Sequence, residues 1–259
     1  MNILYFLVAI IATMIGAAAG IGGGVVIKPV LDSVSTFSLS TINLLSSSTI
    51  FIMSIVSIVR QLMKKDKIDI KNTTVIAMGS ILGGVIGQKI LRYLVGLSNN
   101  SSWLNILQSV MLIVLLLFVY FYMENKDNLK KFDIKSYTLI SIIGIILGAI
   151  AAFLGIGGGP MNVALFALLF GMDTKSAARN SIIVIFFSQG AKILSIAVST
   201  GFSSYDLKVL PLMLVGGVAG GLLGYKLNKK VTERSLLKIF NGTLLIVVLI
   251  NVYNIIKLL

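Results

Sequence analysis

Cysteine and histidine are both absent from this chain of 259 residues. Without cysteine the chain forms no disulfide, and its sequence carries no information about the redox state of its compartment. Histidine and cysteine are also common metal ligands and catalytic groups. Their absence argues against an intramembrane metalloprotease or another hydrolase. We therefore expect a non-enzymatic protein with no catalytic residue, no metal and no cofactor.

Charged residues are scarce, at 12% of the chain, whereas hydrophobic residues make up 57%. A soluble domain carries about 25% charged residues. Apolar runs of roughly 18 residues or more indicate membrane-crossing helices, so the sequence predicts an all-α polytopic membrane protein. The alternative for the first run, a secretory signal cleaved after Ala19, is disfavoured because no basic region precedes it. The predicted spans are Ile3–Ala19, Leu39–Val59, Thr73–Val95, Leu104–Met123, Tyr137–Leu154, Ala177–Ser199, Leu207–Leu227 and Leu236–Leu258.

Acidic residues are the scarcest charged class. Nine Asp and Glu stand against 22 Lys and Arg, which gives a net charge of +13. Such an excess occurs in nucleic-acid-binding proteins, but a polytopic membrane protein also concentrates Lys and Arg in its cytoplasmic loops. We therefore expect the lipid bilayer, and no nucleic acid, as a partner. No carboxylate lies deep in a predicted span, so a buried proton relay is not evident.

The most informative motif is Gly-Ile-Gly-Gly-Gly, which occurs at Gly20–Gly24 and again at Gly155–Gly159, 135 residues later. Further positions match at a spacing of 137, and the whole chain is predicted to be an internal duplication. We expect a first repeat over residues 1–124, a charged cytoplasmic linker over residues 125–135 and a second repeat over residues 136–259. The pairs that match at 137 are Asp69/Asp206, Lys71/Lys208, Gly79/Gly216, Gly83/Gly220, Gly84/Gly221, Gly87/Gly224 and Lys89/Lys226.

Glycine recurs at every fourth position in one span of each half. Small residues at this spacing let two helix backbones approach closely. We assign these glycines to helix packing rather than to ligand binding, and we expect their helices to cross each other or their partners at the centre of the bundle. The glycines are Gly79, Gly83, Gly87, Gly216, Gly220 and Gly224.

Two membrane topologies are open. With eight plain spans and the amino terminus inside, Lys and Arg divide almost evenly, eleven inside and ten outside. If the glycine-rich segments 22–33 and 157–171 each add a crossing, both termini lie outside, and sixteen basic residues lie inside against five outside. The positive-inside rule favours the second arrangement. Each half then has five crossings, so the two repeats are inverted relative to each other.

The first glycine-rich segment and the helix before it are too short for two full crossings. Asn2–Ser35 contains 34 residues, about 51 Å of helix, whereas two crossings need roughly 60 Å. Each half is therefore predicted to hold about four full transmembrane helices and one Gly-rich broken or re-entrant helix. Irregular backbone at membrane depth is tolerated only inside protein or beside a watery cavity. The two glycine segments should face each other in the interior.

Consecutive glycines expose backbone N–H groups at the start of a short helix, because no side chain covers them. A helix start carries about half a positive charge and binds anions, and Pro160 is typical of such a start. The sequence predicts a substrate-binding anion cradle near mid-membrane; the alternative is that the glycines only permit tight packing. The cradle glycines are Gly22, Gly23, Gly24, Gly157, Gly158 and Gly159.

Polar side chains inside the spans add donors that suit an oxyanion. We select Ser47, Asn180, Ser181 and Lys192 as further substrate-binding residues. A serine in a membrane helix often bonds to its own helix instead. For Lys192, extension of the ammonium group to the membrane surface is the alternative.

Several of these features together resemble the sulfite exporter TauE/SafE family of permeases. They are the duplicated glycine motif, Pro29-Val30-Leu31 after its first copy, the stretch Ala178–Ser181 and the helices with glycine at every fourth position. The likeness covers nearly the whole chain. It implies a carrier of the bacterial inner membrane that moves sulfite, sulfonates or related organic anions by alternating access. A passive anion channel and a non-transporting scaffold are the alternatives, and a homodimer is left open.

Overall fold

The computed structural model of the chain describes residues 2–97, 102–126, 128, 129, 132, 134 and 136–258, so much of the predicted linker lies outside the described residues. Within these residues the chain forms ten helices and no strand. The helices are α1 (Asn2–Ala19), α2 (Gly24–Val34), α3 (Leu39–Met63), α4 (Ile70–Leu97), α5 (Ser102–Asn125), α6 (Tyr137–Leu154), α7 (Gly159–Phe170), α8 (Thr174–Ser199), α9 (Leu210–Lys230) and α10 (Glu233–Leu258).

Seven of the described helices, α3–α6 and α8–α10, are long and apolar enough to cross a membrane. The shorter helices α1 and α7 are apolar as well. The prediction of an all-helical, multi-pass membrane protein is confirmed. Helices extend beyond the apolar runs where polar residues cap them: α4 begins at Ile70 because the Asp69 carboxylate accepts a hydrogen bond from the Asn72 backbone N–H (3.1 Å).

The first half begins with a helical hairpin whose tip is the glycine motif. Gly16 of α1 lies against Gly22 and Gly23, and the ring centroids of Tyr5 and Phe37 are 5.7 Å apart. α2 therefore runs back beside α1, toward the end at which α1 begins. α2 has 11 residues, about 16 Å of helix, and it is too short to cross the roughly 30 Å hydrocarbon core.

The second half repeats this hairpin with α6 and α7. The backbone N–H groups of Phe132 and Ile134, just before α6, donate to the carbonyls of Leu168 (2.9 Å) and Leu169 (3.4 Å) in α7. The end of α7 thus lies beside the beginning of α6. α2 and α7 are the re-entrant helices that the sequence predicts for the two halves.

The two halves are joined by a reciprocal exchange of helices. α1 packs along α9, and α6 packs along α4; these are the two most extensive helix contacts in the described chain. α1 and α6 occupy equivalent positions in the two halves, as do α4 and α9. Each half therefore places its first helix against the glycine-rich helix of the other half. This is the pattern expected if a pseudo-two-fold axis relates the halves.

The glycines at every fourth position lie in these two contacts. A Cβ added at Gly83 would lie 2.8 Å from the Ala149 nitrogen, and one added at Gly220 would lie 2.6 Å from the carbonyl oxygen of Ile10. Their assignment to helix packing is confirmed. The partners are the first helices of the opposite halves, so α4 and α9 do not pack along each other.

Contacts between loops show which helix ends share a side of the molecule. Asp66, in the α3–α4 loop, forms an ion pair with Lys229 near the end of α9. Residues 60–71 and 226–238 therefore lie at the same end. The eight-span topology separates these segments by the membrane and is wrong.

Further contacts complete the two ends. Lys126 donates to the hydroxyl of Thr174 (2.7 Å) and pairs with Glu233 (3.1 Å), which brings the linker and the α7–α8 and α9–α10 loops together. We call this the basic end, because thirteen Lys and Arg lie among its described residues. At the opposite end, Lys257 donates to the carbonyl of Ser33 (2.9 Å).

The glycine contacts predict a sharp difference between two adjacent substitutions. Gly83→Ala is expected to destabilise the fold, because the added Cβ would collide with the Ile145 carbonyl. Gly84 is the matched control, since a Cβ there meets only the Ser188 carbonyl oxygen, at 3.9 Å. Overpacking costs about 1–3 kcal/mol, whereas Gly84→Ala should stay within about 0.5 kcal/mol of wild type. Unfolding in detergent micelles measures both; equal stabilities would contradict this packing.

Candidate functional site

Six glycines in the two hairpin turns adopt backbone conformations that residues with side chains rarely adopt. Their φ angles lie between +67° and +80°, and the same three positions of the motif are left-handed in both halves. Only glycine takes this region without strain, which explains why the motif consists of glycine and not merely of small residues. The six are Gly20, Gly22, Gly23, Gly155, Gly157 and Gly158.

The two turns lie against each other in the interior. A Cβ added at Gly24 would lie 2.8 Å from the carbonyl oxygen of Ile156, and one added at Gly159 would collide with the carbonyl of Ile21. Gly24 and Gly159 are equivalent positions, so the contact follows the pseudo-two-fold relation. The glycine segments face each other as expected, and at these two positions close packing itself requires glycine.

One face of α8 runs along both turns. The Ser181 hydroxyl donates to the carbonyl of Gly20 (2.7 Å), Ile185 lies beside the first turn, and Gln189 lies beside the second. These three residues are spaced by four and share a face of the helix. Lys192, three residues beyond Gln189, continues that face toward the opposite end.

α3 places a polar face against the second turn. The Asn43 side chain occupies the space that a Cβ of Gly155 would need, and the Ile50 side chain lies beside both turns. Ser46 and Ser47 are three and four residues beyond Asn43, so they lie on the same face. Both are buried.

Asn180 and Ser181 use their hydrogen-bonding groups within the chain. The Asn180 side-chain oxygen accepts from the Asp69 backbone N–H (3.0 Å) and the Thr73 hydroxyl (2.7 Å), and its amide donates to the Ser176 carbonyl (2.8 Å). Asn180 thereby anchors the start of α4 to α8, while Ser181 anchors the first glycine turn. A role for either residue in ligand binding stays a prediction.

Lys192 is buried, with 1% of its surface exposed. Its ammonium group has no hydrogen-bond partner among the described residues, so the side chain does not extend to the membrane surface. Lys28 of α2 is close enough to interact with it electrostatically, but the Lys28 charge is neutralised by Asp32 at 2.9 Å. An unpaired buried ammonium is strongly unfavourable. The interior therefore holds one lysine amino group that pairs with no carboxylate in the described chain.

Other buried polar atoms on the same two helix faces also lack a partner in the described chain. A buried unsatisfied group costs about 1–3 kcal/mol, and native proteins leave few of them. Their clustering indicates a place for a ligand or water. Ser47 was selected from the sequence as a site residue, whereas Asn43, Ser46 and Gln189 are visible there as polar residues inside the spans but were not selected. The atoms are Asn43 Oδ1 and Nδ2, Ser46 Oγ, Ser47 Oγ and Gln189 Oε1.

Two helices begin at the turns. Gly23 and Gly158 occupy the N-cap positions of α2 and α7, and neither provides a side-chain cap. At the start of α2 the Gly24 and Val26 N–H groups donate to the carbonyls of Gly22 (2.7 Å) and Gly23 (3.0 Å), and a helix start carries about half a positive charge. Pro160, at the start of α7, removes only an N–H that the helix would leave unbonded. With Lys192, these helix starts give the region a positive potential that suits a small anion.

Comparison with known proteins agrees with this architecture. The family description "Sulfite exporter TauE/SafE" matches residues 5–252. A similar curated protein is the probable membrane transporter protein YunE of Bacillus subtilis (strain 168), which is 25% identical over 264 residues that cover 95% of each chain. No solved structure gives a significant match. A match over nearly the whole length includes both glycine turns and all ten helices, and the chain therefore belongs to the sulfite exporter TauE/SafE family of membrane transporters.

Proposed function

We propose that this protein carries a small anion, such as sulfite, a sulfonate or a related organic anion, across the bacterial inner membrane by alternating access. The family and the seven apolar helices already make it a multi-pass membrane transporter. The observation that carries the choice of an anion is the buried and unpaired ammonium group of Lys192. The proposal includes no enzymatic step and no cofactor.

Charge balance supports the sign of the substrate. Lys28 and Asp32 neutralise each other, so the Lys192 charge is left for a ligand. A bound anion would compensate for that charge, and the hydroxyl of Ser47 and the amide of Asn43 would replace part of its hydration. A cation would meet repulsion from Lys192 and from two helix starts. The family description, which names sulfite export, agrees with this chemistry.

The exchange of helices between the halves supports alternating access. We infer that the halves over residues 1–124 and 136–259 are inverted in the membrane, since the first begins at the opposite end and the second begins at the basic end. Inverted repeats with broken helices at their interface are typical of carriers whose site lies near the midplane. In such carriers one half moves against the other around the site, which then opens to either side.

Flux measurements in proteoliposomes test the proposal. Purified protein is first screened by thermal shift against sulfite, sulfate, thiosulfate, sulfoacetate and small carboxylates. The anions that stabilise it are then tested for counterflow, in which unlabelled anion inside the vesicle drives uptake of labelled anion. Counterflow supports a carrier. Flux without counterflow would replace the carrier by a channel, and no flux with any anion would favour a scaffold.

Lys192→Met is expected to change stability and binding in opposite directions. Removal of a buried unpaired charge should raise the melting temperature. The same change should weaken binding of the stabilising anion about tenfold or more, roughly 1.4 kcal/mol. Lys226→Met, at an exposed position of α9, is the matched control and should leave both unchanged. Unaltered anion affinity in Lys192→Met would remove this residue from the site.

Orientation in the membrane gives a separate prediction. The chain has no cysteine, so single cysteines can be introduced without background. Cysteines at Lys65 and Lys230 should both be shielded from an impermeant thiol reagent outside intact cells, because the basic end faces the cytoplasm. A cysteine at Lys208 should be labelled. Labelling at positions 65 and 230 but not at 208 would show that the orientation is the reverse. Labelling at only one of positions 65 and 230 would contradict their location at the same end of the molecule.

A further inference from the structure

A cavity of about 160 Å³, lined by both polar and apolar residues, opens at the end opposite the basic end, between α3, α4, α8 and the α8–α9 loop. Arg92 is exposed at this cavity, and Thr200 and Tyr205 line its loop side. The Tyr205 and Thr200 hydroxyl groups lie 3.4 Å apart. The arrangement places a guanidinium and two hydroxyl donors around one small space.

Two buried polar side chains are among the residues that line the same cavity. Gln88 is 9% exposed and Asn43 is 3% exposed; both line the cavity. The Gln88 side-chain oxygen and both polar atoms of the Asn43 amide have no partner in the described chain. The Asn43 side chain also lies against Gly155, so it separates the cavity from the second glycine turn.

The internal duplication offers a direct comparison with the basic end. At the spacing of 137, Gln88 corresponds to Tyr225 and Arg92 corresponds to Lys229. There the two side chains hold a carboxylate: the Tyr225 hydroxyl donates to Asp66 (3.1 Å), and the Lys229 ammonium pairs with the same group. The Asp66 side chain is only 4% exposed.

The equivalent loop of the second half supplies no such carboxylate. At a spacing of 135, which relates α3 to α8, Asp66 corresponds to Gly201. At a spacing of 137, which relates α4 to α9, it corresponds to Ser203. Neither of these residues, nor Phe202 between them, has a carboxylate. A Cβ added at Gly201 would meet nothing within 4 Å. One end is thus closed by an internal carboxylate, and the other leaves the equivalent donors around an open cavity.

We propose that the cavity lined by Asn43, Gln88, Arg92, Thr200 and Tyr205 binds a small oxyanion, and that the Asp66 carboxylate occupies the equivalent site at the basic end. Both ends of the molecule therefore have a site for an anionic group, and the Asp66 carboxylate fills the site at the basic end. That the anion bound in this cavity is also the transported one rests on the proposed function. In that case the cavity is the access site through which the anion reaches the glycine turns.

The geometry suits an oxyanion in particular. A guanidinium binds planar or tetrahedral oxyanions through two parallel N–H donors, and Asn43, whose amide nitrogen has no partner in the described chain, adds an N–H donor among the lining residues. The two hydroxyl groups add donors on the loop side. An apolar ligand would leave the Asn43 N–H unsatisfied, and a cation would be repelled by the Arg92 guanidinium.

A charge-selective reaction tests the cavity without any transport measurement. In Thr200→Cys protein, the modification rates by an anionic sulfonatoethyl methanethiosulfonate and a cationic trimethylammonioethyl methanethiosulfonate are compared in detergent. Arg92→Gln should lower the anionic-to-cationic rate ratio about tenfold. Lys89→Gln is the matched control, because Lys89 is exposed on the same helix and carries the same charge but does not line the cavity. Sulfate should slow the anionic reaction in Thr200→Cys and not in Thr200→Cys with Arg92→Gln.

Three outcomes are distinguishable. A tenfold fall with Arg92→Gln and less than a twofold fall with Lys89→Gln supports the site. Equal effects of the two variants, or no protection by sulfate, would show only general surface electrostatics and would overturn it. A charge-selective cavity in a protein that shows no flux in liposomes would leave the site standing and refute the proposed transport.

The role of Asp66 is tested from the basic end. Gln61 is 1% exposed, and its carbonyl accepts from the Asp66 backbone N–H (3.0 Å). A cysteine at Gln61 should react slowly with the anionic reagent, and Asp66→Asn should raise that rate at least tenfold, since Tyr225 and Lys229 lose their internal carboxylate. Lys230→Gln is the control and should not change the rate. An unchanged rate in Asp66→Asn would contradict the assignment of Asp66 as the internal substitute for an anion.

Discussion

The close contact between two main-chain turns at the centre of the molecule determines the rest of its structure. Gly24 meets the Ile156 carbonyl, and Gly159 meets that of Ile21, so neither turn tolerates a side chain at its contact point. The left-handed backbone of the same motif ends α1 and α6 and directs α2 and α7 back along them. These re-entrant helices are short because they start in the interior, and each half therefore has an odd number of elements. The pairing of the first helix of each half with the glycine-rich helix of the other follows from this arrangement.

Electrostatics explains how so apolar a chain carries a net charge of +13. Thirteen of the basic residues lie among the described residues of the basic end, where Asp66 and Glu233 form ion pairs with two of them. The interior is different: Lys28 has its own carboxylate, and Lys192 has none in the described chain. Since membrane proteins rarely bury an unpaired charge without a functional reason, the excess at Lys192 indicates what the protein binds rather than what stabilises it.

Much of this architecture could be predicted from the sequence, because hydrophobic run length and the repeated glycine motif are strong local signals. The spans, the re-entrant segments and the shared end of residues 60–71 and 226–238 follow from length and charge counts. The partner of each glycine-rich helix could not be predicted, since glycines at every fourth position define a helix face but not the helix that packs against it. Asn180 was chosen as a free donor, but its amide donates to the Ser176 carbonyl and its side-chain oxygen accepts from the start of α4. The boundaries of the repeats and the glycine cradle itself stay predictions.

The most direct test of an anion held at the interior charge is to locate one. Crystals grown with selenate or selenite, measured at the selenium absorption edge, would show the anion as an anomalous peak. The account predicts a peak between α8 and the glycine turns, within about 3–4 Å of the Lys192 ammonium nitrogen. Peaks confined to the surface or to the Arg92 cavity, with Lys192 still unpaired at saturating anion, would contradict a central binding site.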